Sequence, residues 1–479
     1  MGKFQKEETD AWRILLFGGN GSELLLARSP SGLRLPELRI PRWQRIVPNL
    51  NAEAKRLWNL DTVCLFAFDA PRPERAAVNC KYHVMEVCRP EELARVAPGF
   101  VLLSNAKEAS FADKQDYWAV QQGMGFERGS VPKGCQGPFS EFGTFRRISA
   151  WVEEQLRPLG LGWDGNFRQL QASASFALVE FQTNRGRVWF KAVGEPNLRE
   201  FPITMHLADR LPRHIPVLIA RHPEWNAWLA VEAEGQDLNS CSGRDAWCRA
   251  ADSLAELQIA SIENAPEILA AGARDLRIES LLALAAPFFA KVEGLMERQT
   301  NRVPKRLTGE ETERTRQTVI RALREMEAIG IPETINHLDL NPGNIFVAPA
   351  KCTFLDWAEA AVGNPFFSLE YLRQHFVRAF EGQENAETAL LARYLDRWRS
   401  SLPAKSRETA LRLAPLTALF AYAASSLPWH LSLTARPELA GFIRSLMRRM
   451  HRESEELTTS QAASSRESGA ILQGAITCK

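Results

Sequence analysis

The stretch 335–347, INHLDLNPGNIFV, crowds His337, Asp339, Asn341, Pro342, Gly343 and Asn344 between short apolar runs. Pro342 and Gly343 interrupt both a helix and a strand, so the segment reads as a structured loop that leads into a strand, IFV. A short turn, APAK, precedes a second strand, TFL, which ends at Asp356. If the two strands pair antiparallel, Asp356 returns close to Asn344. One carboxylate and one amide oxygen make a partial cage for Mg²⁺, which keeps several waters or phosphate oxygens and so arrives with a nucleotide. Asp339, earlier on the same loop, is then left to face a substrate, where it positions a hydroxyl and accepts its proton.

The H-x-D-x-x-x-x-N pattern followed by a strand and D-W resembles the Brenner-type catalytic signature of the aminoglycoside phosphotransferase and choline kinase family, relatives of the protein kinases. His337, Asp339, Asn344 and Asp356 match it position for position, and DWAEAAVGNP matches the stretch after the second metal ligand. The resemblance spans roughly residues 150–450, by the order of its motifs. It implies an α+β, protein-kinase-like fold of two lobes, a small β-rich one and a large helical one, that uses ATP and Mg²⁺. In its terms Asp339 is catalytic and Asn344 and Asp356 hold the metal. His337 supports the loop by bonding backbone rather than acting as a base, and Asn341 is a further polar contact.

The resemblance also places Lys191, in VWFKAV, where family members reach the nucleotide phosphates. Glu200, at the start of the next helix, would orient it, with Glu195 competing. Where the family has a glycine-bearing loop over the phosphates this chain reads QASASFALV, making Ser173 and Ser175 the expected nucleotide contacts there. Ser368 stands where many members have an Asp, which alters the bracing of the catalytic loop. Protein kinases carry H-R-D, D-F-G and A-P-E; here the same places read H-L-D and D-W-A, which favours a small-molecule hydroxyl acceptor. The stretch 373–450 has more Arg than Asp plus Glu, including RSLMRRMHR, whereas a polycationic aminoglycoside wants an acidic pocket. The competing expectation, favoured by the QASASF turn, is a catalytically silent kinase-like protein that binds a nucleotide or a partner. Acceptor identity, ATP against GTP and oligomeric state are not legible.

These residues need elements to position them. FALVEFQT and RVWFKAV flank an Asn-Arg-Gly corner and predict a hairpin. LREFPITMHLADRL predicts a helix, and IPVLIA and WLAVEAEG predict further strands. From about 243 to 330 and from 367 to 452 the apolar spacing is helical, as with Val319, Ile320, Leu323 and Met326. Residues 1–145 read as an α+β accessory domain, 146–240 as the small lobe, 241–453 as the helical lobe with the catalytic loop, and 454–479 as a disordered tail. GSVPKGCQGPFSEFG (129–143) is the expected boundary. Within the first segment ELLLARSPSGLRLPELRIP, NAEAKRLWNL and DTVCLF resemble the strand, loop and helix of a Nudix hydrolase. That family needs a cluster of Glu for metal and this run supplies only Glu53, which implies a non-catalytic version.

Composition bounds the rest. The 479 residues are 45% hydrophobic and 24% charged, enough for two or three domains with cores. Lys plus Arg total 59 against 57 for Asp plus Glu, so no global field recruits nucleic acid or an anionic membrane. The start, MGKFQKEETDAW, lacks the apolar core of a signal peptide, giving the expectation of a cytoplasmic protein. The most apolar stretch, 413–429, contains two Pro and is short for a bilayer span, so it reads as a buried helix. The eight Cys are scattered without a C-x-x-C pair, as expected of reduced thiols.

Overall fold

A computed structural model describes residues 8–18, 21–69, 81–95, 99–104, 110–125, 141–173, 176–383, 386–425 and 437–476. Most of the expected boundary 129–143, Ser175 and the last residues of the apolar stretch 413–429 lie outside the described residues. The chain is mixed α+β, as expected, and divides into two compact units, residues 1–201 with 217–232 and residues 202–216 with 233–479.

The first unit holds two sheets. In the amino-terminal one the strand Thr9–Gly18 runs antiparallel to Glu23–Ser29 and parallel to Lys81–Val87, which pairs with Thr62–Asp69. Its inner residues Ile14 to Phe17 are buried without interruption, as a strand covered on both faces requires. Helix Ile46–Trp58 turns Val47, Leu50 and Ala54 inward at helical spacing. Glu53, the acid of the Nudix-like stretch, points instead to Arg56, at 2.7 Å.

The second sheet is the antiparallel meander Trp163–Ser173, Phe176–Thr183, Gly186–Val193, Ala227–Val231 and Leu218–His222. The hairpin expected at the Asn-Arg-Gly corner is present, with Thr183 opposite Gly186 and Gly186 at φ +119°, a conformation closed to L side chains. Strand alternation buries Ala177, Val179 and Phe181 beside Val188, Phe190 and Ala192. Helix Thr144–Leu156 covers them with Phe145, Ile148, Val152 and Leu156. Leu15, Phe17, Leu24 and Leu26 of the first sheet join the same core. Gln169 joins the two sheets: its Oε1 accepts from the Cys64 N–H at 2.7 Å and its Nε2 donates to the Cys64 carbonyl at 2.8 Å. A buried amide thus imitates one rung of a ladder. Residue 145, the expected boundary, lies within helix Thr144–Leu156, with Phe145 in the core.

The second unit is a helical body with two small sheets. Helix Gly309–Ala328 starts at a capping box of Thr308 and Glu311 and buries Val319, Leu323 and Met326, with Ile320 half-buried beside them. Helix Ala404–Ser425 is apolar on nearly every side because other helices surround it, and no described helix is long and apolar enough to cross a membrane. Helix Pro437–Ile476 runs through most of the segment expected to be a disordered tail. Ile443, Met447, Met450 and Leu457 keep a helical stripe against the core past residue 453.

Candidate active site

The loop from Leu338 to Asn344 connects the two small sheets of the second unit. Strand Thr334–His337 is fully buried and pairs antiparallel with Ala360–Gly363, which lies parallel to Arg274–Leu276. Ile345–Val347 pairs antiparallel with Cys352–Phe354 in the expected register, Ile345 opposite Phe354. The Leu355 N–H donates to the Asn344 carbonyl at 2.8 Å. That bond brings Asn344 and the residue after Leu355, Asp356, to the same end of the hairpin. Asp356 sits at φ 67°, ψ 68°, a left-handed backbone that Asp tolerates better than most residues.

Hydrogen bonds set the loop side chains. Asn341 Oδ1 accepts from the Gly343 N–H at 3.0 Å, capping the turn Pro342–Asn344, and its Nδ2 donates to Asp339 Oδ1 at 3.2 Å. Asn344 Nδ2 donates to the Asp339 carbonyl at 3.0 Å and faces Asp339 Oδ2 at 3.4 Å. Asp339 is therefore flanked by two amides rather than by a cation. With Nδ2 committed to Asp339, the opposite edge of the Asn344 amide presents Oδ1 as a lone-pair donor. The donor set at the hairpin end is carboxylate and amide oxygen with no sulfur, which fits Mg²⁺. Asn344 and Asp356 are the residues that would hold it.

His337 is 1% exposed and bonded on both ring nitrogens. Nδ1 lies 3.2 Å from the Asp339 backbone N–H and Nε2 lies 2.8 Å from the Leu355 carbonyl. The network assigns the neutral tautomer, with Nε2–H donating and Nδ1 accepting. Trp357 covers the ring, centroids 4.7 Å apart. This imidazole ties the loop to the hairpin and has no nitrogen left for a substrate proton. Ser368, fully buried, supplies a second tie: its Oγ accepts from the His337 N–H at 2.9 Å and donates to Asn336 Oδ1 at 2.8 Å.

In the first unit, Lys191 and Glu200 meet. Lys191 Nζ lies 2.5 Å from Glu200 Oε1, with side-chain exposures of 12% and 1%, while Glu195 is exposed. Phe176 and Trp228 face the ammonium at 5.4 and 5.6 Å. Helix Glu200–Arg210 presents Glu200 in its first turn, where the dipole favours an anion. Ser173 ends its strand opposite Phe176.

The motifs do not mark the helix groups on which the Asp339 charge acts. Tyr371 and His375 lie on helix Phe366–Ala379 with rings 5.3 Å apart, and Tyr422 of helix Ala404–Ser425 is 6.2 Å from Tyr371. Burial, with Asp339 next, pushes the Tyr371 phenol up to about 12; burial, then Glu359 and Asp339, raises Tyr422. Burial and then Arg378 lower His375, against Asp339. The signal that could have found them is polar and aromatic residues at helical spacing on segments that otherwise pack the core.

A family model described as the phosphotransferase enzyme family matches residues 166–408. A comparison with curated proteins gives no match. Solved structures similar to this chain include the macrolide 2'-phosphotransferase MphH of Brachybacterium faecium, 16% identical, covering 62% of this chain and 97% of its own, with a TM-score of 0.43. The choline kinase LicA of Streptococcus pneumoniae is 14% identical over 65% of this chain and 99% of its own, TM-score 0.39. A streptomycin–ATP–APH(2")-IIa ternary complex is 13% identical over 64% and 97%, TM-score 0.43.

Proposed function

Because the chain belongs to the phosphotransferase enzyme family, we propose that it moves the γ-phosphoryl group of ATP to a hydroxyl of a small molecule. The acceptor oxygen forms a bond to the γ-phosphorus as the bond to the ADP oxygen breaks, and the hydroxyl proton passes to the Asp339 carboxylate. Two flanking amides, from Asn341 and Asn344, hold that carboxylate in one orientation. Mg²⁺, when bound, would neutralise charge on the phosphates, with Asn344 and Asp356 as its protein ligands. Lys191, oriented by Glu200, would hold the phosphates, with Ser173 and Ser175 contributing at the neighbouring turn. The amino-terminal sheet, Nudix-like in sequence, would then be a non-catalytic accessory.

The observation that supports this reading is the hairpin pairing, whose bond from Leu355 to Asn344 brings Asn344, itself bonded to Asp339, and Asp356 to one end of the hairpin. The QASASF sequence, which lacks glycine, favours the alternative of a nucleotide-binding protein without turnover. Incubating the full chain with radiolabelled ATP and a metabolite extract separates the two. Label transferred by the parent and lost in Asp339→Asn supports the enzyme, whereas nucleotide binding with no transfer from a broad extract supports the silent protein.

A further inference from the structure

A pocket of about 410 Å³ within the second unit borders the catalytic loop at Pro342. Its polar lining comes from Asn239, Ser242, His375 and Arg378, and no Asp or Glu lines it. Arg378 is held to its helix by Nε donating to the Gln374 carbonyl at 3.0 Å, and among the described residues no carboxylate pairs with it. A second guanidinium converges on the same residue, as Arg449 Nη2 donates to Gln374 Oε1 at 3.0 Å. Two acids on this side, Glu370 and Glu387, are already engaged. Glu370, 4% exposed, is gripped by Arg373 at 2.6 and 2.9 Å, and the same Arg373 reaches Glu387 at 2.9 Å. His375 lies between Arg378 and Asp339 electrically, since both act on its ring.

A cationic acceptor entering this pocket would meet the Arg378 guanidinium and no carboxylate in the lining. A carboxylate or phosphate would instead gain charge-assisted, bidentate hydrogen bonds from a planar fork. We propose that the acceptor carries an anionic group, which seats in this pocket against Arg378 while its hydroxyl reaches Asp339. The inference rests on the assignment of Asp339 to the acceptor, and it narrows the substrate to small hydroxylated acids or phosphate esters.

The test uses the full chain loaded with Mg²⁺ and a non-hydrolysable ATP analogue, so that anionic probes do not report on the nucleotide site. Glycerate, glycerol phosphate and ethanolamine are titrated by calorimetry against the parent and Arg378→Gln. At least one anion should bind, ethanolamine should not, and Arg378→Gln should weaken the anion by about 10-fold or more, the scale of a lost charge-assisted bond. Which anion prevails tells carboxylate from phosphate. Ethanolamine binding as tightly as the anions, no anion binding at all, or an unchanged anion affinity in Arg378→Gln overturns the inference. A second arm divides a metabolite extract by charge before incubation with radiolabelled ATP. Label confined to the cationic or neutral pool leaves phosphotransfer standing and removes the anionic acceptor. Arg378-dependent anion binding with no pool labelled does the reverse.

Discussion

At the residue scale, Asp339 and Asp356 should separate in their effects although they stand on one loop and hairpin. Asp339→Asn keeps size and can still meet its neighbours but removes the base, so kcat should fall by about 10² or more while Mg-ATP affinity holds. Steady-state kinetics beside calorimetry checks this, and a near-parental kcat in a folded variant removes Asp339 from the chemistry. Asp356→Ala should weaken nucleotide binding with Mg²⁺ and leave binding without it almost unchanged, because the missing carboxylate compensates the cation. Equal Mg-ATP affinity in variant and parent would take Asp356 out of the metal site. The Lys191–Glu200 pair is nearly buried, so Glu200→Ala removes a close carboxylate from an ammonium that faces aromatic rings. Its cost should be about 3 kcal/mol in denaturant unfolding, and Lys191→Met combined with Glu200→Leu should recover part of it.

Elements position these residues through contacts that leave no room for change. Gly363, in the Val-Gly-Asn-Pro turn after Asp356, lies where a Cβ would stand 2.5 Å from the Leu276 carbonyl oxygen of the neighbouring parallel strand. Backbone cannot yield as a side chain does, so Gly363→Ala should push Arg274–Leu276 away from Ala360–Gly363. The expected result is a lower melting temperature together with reduced turnover, since strand Thr334–His337 hangs on the same sheet. Parental stability in Gly363→Ala would show that the sheet adjusts and that the glycine serves another purpose. Ser368, from 31 residues further along the chain, braces that strand through His337 and Asn336.

For the whole molecule, pH acts through histidines buried without charge. Burial lowers the His83 imidazole to about 4 from an ordinary value of 6.5, its Nδ1 lying 3.1 Å from the Val84 carbonyl and its ring beside Trp12. His214 and His375 shift in the same direction, also by burial first. A depressed histidine binds its proton in the unfolded chain before the folded one does. Stability is therefore undiminished above the unfolded value and declines as pH falls through the window between the two. For His83 alone the loss between about pH 6.5 and about pH 5 should be roughly 2 kcal/mol. Denaturant unfolding at both values checks it, and His83→Phe should flatten the slope; an unchanged slope would assign the acid sensitivity elsewhere.

The polar loop and the hairpin that returns Asp356 to Asn344 were legible in the amino-acid sequence through turn chemistry and strand alternation, whereas the pairing of Lys191 with a nearby Glu came only from the family resemblance. Helices such as Gly309–Ala328 were legible from apolar spacing, and the capping box that starts this one was not read. The sequence did not show that Gln169 would complete a rung with Cys64 across 105 residues, nor which groups the Ser368 hydroxyl would bond. It did not set Tyr371, His375 and Tyr422 where the Asp339 charge acts on them, or leave Arg378 beside a pocket without acids. Local energetics choose a turn or a helix from a few neighbouring residues. Which distant side chains then meet, and which charges find partners, depends on how those elements pack, and only the tertiary structure decides it.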